Sequence, residues 1–301
     1  MIEYNRHSWW ATAFSLRGTA LPCICRRVGL FTIYSAGIQF LYETGLNIQW
    51  FADQHFQALD PIAHTVLGSL IGFLIVFRMN TSNQRYWDGR GHWGQLTNAS
   101  RNLARFGSIY TTGGTELSNL IAGYVICIRS SLQGKRDTEE ADLYLPESVS
   151  RVARSFGNIP NGVSAAISKW INHYYQAGVL DSIMVQHLEF NLCQMVDAQG
   201  SCEKIQKTPL PFVYVAMIKQ LILIYLATLP LVLCERCGWW SPLLILVVAL
   251  GLFGLEEASV EIEDPFGKDA NCLDMETYTL TIARDTGQLA VRKFPPILPP
   301  S

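Results

Sequence analysis

The chain of 301 residues is 49% hydrophobic and only 16% charged, with a mean hydropathy of +0.17. Soluble domains carry about a quarter charged residues, so this deficit, with 8 Trp, 12 Tyr and 14 Phe, indicates a membrane protein with a sizeable aqueous part. The formal net charge of −2 and the lack of a Lys/Arg-rich stripe or zinc-finger spacing argue against a nucleic-acid partner.

At the amino end no compact apolar run marks a cleavable signal, and Arg6, Arg17, Arg26 and Arg27 are dispersed. Trp9, Trp10 and Phe14 set against Arg6 and Arg17 read as an interfacial amphipathic segment. Four apolar segments follow, near 28–42, 61–77, 212–233 and 239–255. The second is expected to start at Pro61 with Asp60 as its N-cap, and the third is interrupted by Lys219. A bilayer core of about 30 Å asks for about 20 helical residues, so the shorter segments need flanking residues or partners. Arg26 and Arg27 precede the first span, Arg78, Arg85 and Arg90 follow the second, and no Lys or Arg lies between Glu43 and Asp60. The positive-inside rule then puts both termini and the long middle in the cytoplasm, with loops 43–60 and 234–240 outside. The middle, 78–208, shows apolar residues at helical spacing in WGQLTNASRNLARF, SNLIAGYVICIRSSL, VSAAISKWINHYY and SIMVQHLEFNLCQMVDAQ, and no strand alternation. The Pro-rich tail, 292–301, is expected to be disordered. The fold expected is an all-α membrane protein, four spans interleaved with a cytoplasmic helical bundle in one domain, 1–301.

Catalytic motifs are missing: there is no HExxH, no phosphate-binding loop, no nucleophile elbow. The acidic stretch GLEEASVEIEDPFG puts Glu257, Glu261 and Asp264 on one helical face and Glu256 and Glu263 on another. Paired carboxylates suit acid/base work or a divalent ion. The plainer expectation is that they neutralise Arg78, Arg85 and Arg90, with Asp264-Pro265 ending the helix. His64, in the first turn of the second span, is read as an interfacial or helix-bridging histidine. Cys234 and Cys237 form a lone CxxC, open between an exterior disulfide and two thiols, and no zinc site is expected. Gly68, Ser69 and Gly72 allow close helix approach along the second span, and Val66, Leu70 and Leu74 recur every four residues. In a single copy such a stripe is buried or faces lipid; around an axis of several copies it becomes a hydrophobic constriction. The rival stripe is Ser69, Phe73 and Phe77.

FRMNTSNQRYWDGRGHWGQL (77–96), GSCEKIQKTPLPFVY (200–214) and EIEDPFG (261–267) resemble, in order, the motifs of the bestrophin family in its bacterial branch. The family pattern corresponds here to Arg78, Asn80, Arg85, Trp87, Arg90, Glu263, Asp264 and Pro265. The resemblance implies a homopentamer around one pore, with the polar run after Phe77 continuing the pore-lining helix into a cytoplasmic vestibule. It further implies a neck at Val66, Leu70 and Leu74 and a second, cytoplasmic aperture at Ile205. After EIEDPFG the sequence offers Asp269 and Asp274 beside Lys268, too few oxygen ligands for a calcium clasp.

The expected function is a chloride-type anion channel of a plasma membrane, the bacterial inner membrane, with small ions, the lipid bilayer and further copies of the chain as partners. No cofactor and no metal is expected. A monovalent-cation (sodium) channel of the same fold is the first alternative. A membrane enzyme built on Glu256–Asp264 with His173 or His187, and a scaffold with a dry axis, are the others.

Overall fold

The computed structural model describes residues 7–16, 18–44 and 61–291. The expectations for Asp60, for most of the loop 43–60 and for the tail 292–301 lie outside these residues. In chain order the described helices are α1 (Trp9–Ala13), α2 (Leu21–Glu43), α3 (Pro61–Tyr110), α4 (Gly114–Leu132), α5 (Glu147–Arg154), α6 (Ile159–Gln176), α7 (Ser182–Lys207), α8 (Phe212–Cys237), α9 (Ser241–Glu263) and α10 (Met275–Val291). Short 3-10 turns stand at Ala141–Leu143 and Gly238–Trp240. No strand occurs among the described residues.

The polar run that follows Phe77 does continue the apolar helix before it, as a single element of 50 residues. At 1.5 Å per residue α3 is about 75 Å long, more than twice a bilayer core. Several of its hydroxyls are satisfied along the helix itself: Thr65 donates to Pro61 O, Ser69 to Thr65 O, Thr81 to Phe77 O and Thr97 to Trp93 O. An alcohol bonded to the carbonyl four residues back needs neither water nor a partner helix.

Two compact units share the chain. The first takes residues 1–86, 209–264 and 269–271. Its helices each bury one narrow stripe: Ile24 and Val28 of α2, Ile71 and Ile75 of α3, Ile218, Ile222 and Leu226 of α8, and Ala249 and Phe253 of α9 form a single cluster. Close approach depends on glycine at one point, since a Cβ on Gly68 would stand 2.9 Å from the Tyr225 hydroxyl. The other faces carry exposed Leu30, Ile33, Leu223, Ile224, Val247 and Leu250. That much uncovered aliphatic surface is untenable in water and ordinary in lipid or between subunits.

The 234–240 segment is not the loop expected from the sequence. The helix α8 runs on through Glu235 and Arg236 to Cys237, and Gly238 (φ +52°) turns the chain into α9. Cys234 and Cys237 are therefore three apart on one helix and both are free thiols, Cys234 Sγ lying against the Leu231 carbonyl. The α9 helix ends at Glu263, and Asp264 before Pro265 is extended (φ −105°, ψ 91°), the expected stop.

The second unit takes 87–208, 265–268 and 272 onward. Its centre is α4, where Leu117, Ile121, Tyr124, Val125 and Ile128 are wholly buried. It is wrapped by α10 and α6. A helix apolar on all sides belongs inside, and each such side chain withdrawn from water contributes about 1.5–3 kcal/mol. The four periodic segments expected in the middle region correspond to the later part of α3, to α4, to α6 and to α7.

Candidate functional site

On the first-unit part of α3 (61–86) the buried residues are His64, Ile71, Ile75, Arg78 and Ser82, at steps of seven, four, three and four that keep one face. The opposite face is uncovered: Ile62 is 69% exposed, Val66 64%, Leu70 48% and Phe73 61%. Leu74 does not stay in this row. It packs against the core cluster, and the Tyr214 hydroxyl donates to its carbonyl at 3.1 Å. The cause is helical drift, since each four-residue step advances about 40° beyond a full turn. From Val66 through Leu70 the row therefore walks round to the buried edge at Leu74, and its uncovered extension is Ile62. In the rival stripe Phe73 and Phe77 meet edge to face, centroids 4.5 Å apart.

His64 is buried, with Nε2 2.9 Å from the Thr228 hydroxyl, so it bridges α3 to α8 as read from the sequence. Near the other end of the apolar part stands a charge cluster. Arg78 Nη1 donates to Glu256 at 2.7 Å, and its Nη2 lies 3.7 Å from Glu263. Lys219 reaches the same Glu256 oxygen at 3.4 Å, which explains a lysine in an apolar run. Arg85 Nε donates to the Glu263 carbonyl at 3.0 Å, and Arg27 pairs with Glu257 at 2.8 Å. Glu263 also accepts from the Leu210 amide, and Glu261 from Asn271. These acids are thus engaged in holding α2, α3, α8 and α9 together. Arg90 departs from the expected pairing: it lies over the Tyr278 ring of α10 at 4.6 Å, a cation–π contact.

The remaining motif residues pack or face outward. Phe266 is fully buried, and a Cβ on Gly89 would come within 3.0 Å of it and 3.1 Å of Pro265, so this glycine is what lets the Pro-Phe pair dock on α3. Asn80 and Trp87 are exposed. Trp93, which opens the WGQL part of the first motif, is fully buried. Asp274 is a capping residue: its carboxylate accepts from the Thr277 amide (3.0 Å) and hydroxyl (2.8 Å). Among the described residues no group of three or more His, Cys, Asp or Glu is gathered to hold a metal. His187 stacks on Phe106 and His173 packs edge-on to Tyr174.

Ile205, half-buried, stands in the last turn of α7. That turn is tied down by polar side chains the sequence gives no motif for. Glu203 accepts from Asn158 (2.8 Å), Gln199 (2.7 Å) and Lys207 (2.8 Å). Tyr124 donates to Gln199 at 2.6 Å, and Gln206 donates to the Leu132 carbonyl at 2.5 Å. Burial pushes the Glu203 carboxyl up, but its bonds from Lys207, Gln199 and Asn158 outweigh this and leave it below the usual carboxylate range.

Two helical stretches among the described residues, Pro61–Tyr110 and Phe212–Glu263, are long and apolar enough to cross a membrane. A chain whose described residues form helices and no strand, with such stretches and so much uncovered aliphatic surface beside them, is by class a helical membrane protein. Its sequence matches the family described as Bacterial/Fungal Bestrophin protein over residues 1–288, and the chain belongs to that family. It is 31% identical to a voltage-dependent anion channel-forming protein of Nostoc sp., over 96% of this chain and 94% of that one. To the protein of the same description, YneE, of Escherichia coli it is 27% identical, again over 96% and 94%. A crystal structure of a bacterial bestrophin homologue from Klebsiella pneumoniae superposes with a TM-score of 0.82 at 21% identity, covering 90% of this chain and 99% of that one.

Proposed function

We propose that copies of this chain form a ring, five by resemblance, around a central path through which anions, chloride above all, pass passively across a bacterial inner membrane. Four spans per subunit would place both termini in the cytoplasm. The observation that carries the reading is the face of α3 opposite its buried stripe, where Ile62, Val66 and Leu70 stand exposed on a helix packed on its other side. One subunit's few helices do not enclose an aqueous path, whereas a symmetric ring of α3 helices does. The uncovered row then becomes a short apolar neck, with Val66 and Leu70 at its centre, that ions cross partly dehydrated. Ile205 forms a second, cytoplasmic aperture. Anion rather than cation passage follows the names of the curated relatives. An enzyme centred on the acids of α9 is disfavoured because Glu256, Glu257, Glu261 and Glu263 are all engaged.

The test is single-cysteine substitution at residues 62 through 77, with a charged thiol reagent applied to open reconstituted channels. Modification at 62, 66 and 70 is expected to block current, and modification at 71 and 75 is expected to do nothing. Block from 73 and 77 but not from 66 or 70 assigns the neck to the phenylalanine stripe.

A further inference from the structure

We infer that Lys204 sets the preference for anions over cations at the cytoplasmic exit, an inference that rests on the assignment of Ile205 to that exit. The last turn of α7 carries three charges, and their partners differ. Glu203 and Lys207 neutralise each other at 2.8 Å, and the rest of the Glu203 carboxylate is taken up by Asn158 and Gln199. The next residue, Lys204, lies a further 100° round the helix, away from the buried row Met195, Ala198, Gln199 and Cys202. Its side chain is exposed, and among the described residues no carboxylate pairs with it. One uncompensated positive charge therefore stands immediately beside Ile205 in every subunit.

The position is also held firmly. Gln206 is anchored to Leu132, and Gln199 reaches both Glu203 and the side-chain Oδ1 of Asn161, the latter at 3.0 Å. The ammonium is thus carried on a fixed backbone, and a ring of such charges at an apolar aperture concentrates anions where they must shed water. In a water-like dielectric a unit charge about 6 Å from the path changes an ion's local concentration about threefold, in opposite senses for anion and cation. A lysine in a last helical turn also complements the helix dipole, but a dipole role does not touch which ions pass.

The experiment uses the full-length channel reconstituted in planar bilayers under asymmetric NaCl. Lys204→Gln is expected to lower the chloride-over-sodium permeability ratio about tenfold, Lys204→Glu by more, and both effects are expected to shrink as salt rises. Lys169→Gln is the control for surface charge: its neighbour Ser168 bonds Glu189, four turns along α7 from Glu203, about 21 Å away at 1.5 Å per residue. It should leave the ratio unchanged. Ile205→Ala, measured in parallel, reads the aperture itself through the permeability of large anions. If Ile205→Ala changes that permeability and Lys204→Glu leaves the ratio at the parental value, the inference is overturned and the aperture stands. If neither variant changes permeation, both fall. Should Lys204→Glu fail to assemble, Lys204→Cys is modified after assembly. A negative thiol reagent must then lower the ratio and a positive one preserve it, relative to the parent with its exposed Cys193.

Discussion

Replacing Glu256 by glutamine removes the closest partner of a buried guanidinium. The Arg78 and Glu256 side chains are 2% and 4% exposed and meet at 2.7 Å. Among the described residues Glu263, at 3.7 Å, is then the remaining ion-pair partner of Arg78, while Lys219, half exposed, turns to solvent at little cost. Two charges about 4 Å apart interact by about 4 kcal/mol at an effective dielectric of 20, and breaking a buried pair from one side costs about 3–5 kcal/mol. The residual Glu263 contact places Glu256→Gln at the low end, about 3 kcal/mol. An apolar double variant, Arg78→Met with Glu256→Leu, leaves no orphaned charge and should recover at least half of that loss. The assay is the temperature at which the detergent-solubilised oligomer disappears from size-exclusion profiles. It should fall by several degrees in the single variant and return most of the way in the double. A single variant as stable as the parent, or a double variant worse than the single, would refute the assignment of this cluster as the clamp on α3, α8 and α9.

Three further outcomes follow from local geometry. A Cβ on Gly162 would lie 2.7 Å from the Ala153 backbone, so Gly162→Ala should destabilise the second unit by about 1–3 kcal/mol, read as a lower melting temperature. The Thr277 amide, then its hydroxyl, hold Asp274 below the usual carboxylate range. A depressed carboxyl stabilises above its unfolded value and loses that contribution as pH falls through the folded one. Asp274→Ala should therefore cost about 1 kcal/mol at pH 7 and progressively less as pH falls below about 3.9, which melts of variant and parent at pH 7 and at about pH 3 will check. Burial, with the charges of Asp142 and Asp137 behind it, pushes the Cys127 thiol up to about 12, and burial with Glu203 does the same for Cys202. Alkylation of the native protein at pH 8 followed by mass spectrometry should mark exposed Cys193 and leave both of these unmarked until denaturation.

The long apolar runs, the helix stop at Asp264-Pro265 and the match of Arg78 with the α9 acids are legible in the sequence because each is local or follows from charge counting. Leu74, half-buried against the core cluster while Val66 and Leu70 are exposed, is not told apart from them in the sequence, because an i, i+4 row drifts and only the buried face of α3 shows where it turns inward. The same limit applies to Arg90, whose partner Tyr278 sits on α10, a helix distant in sequence whose buried row includes Thr279 and Thr286. The 234–240 segment looks like a loop from its charges, yet Glu235 and Arg236 continue α8, and only Gly238 breaks it. The polar anchor under Ile205 has no motif, although Gln199 and Glu203 at i, i+4 could be read as facing one another.

The central claim is that this chain conducts anions, and the reversal potential of the purified, reconstituted protein under a NaCl gradient tests it most directly. A reversal potential close to the chloride equilibrium potential is the predicted result. A value close to the sodium equilibrium potential, or a bilayer that stays silent with correctly assembled protein in it, would contradict the account.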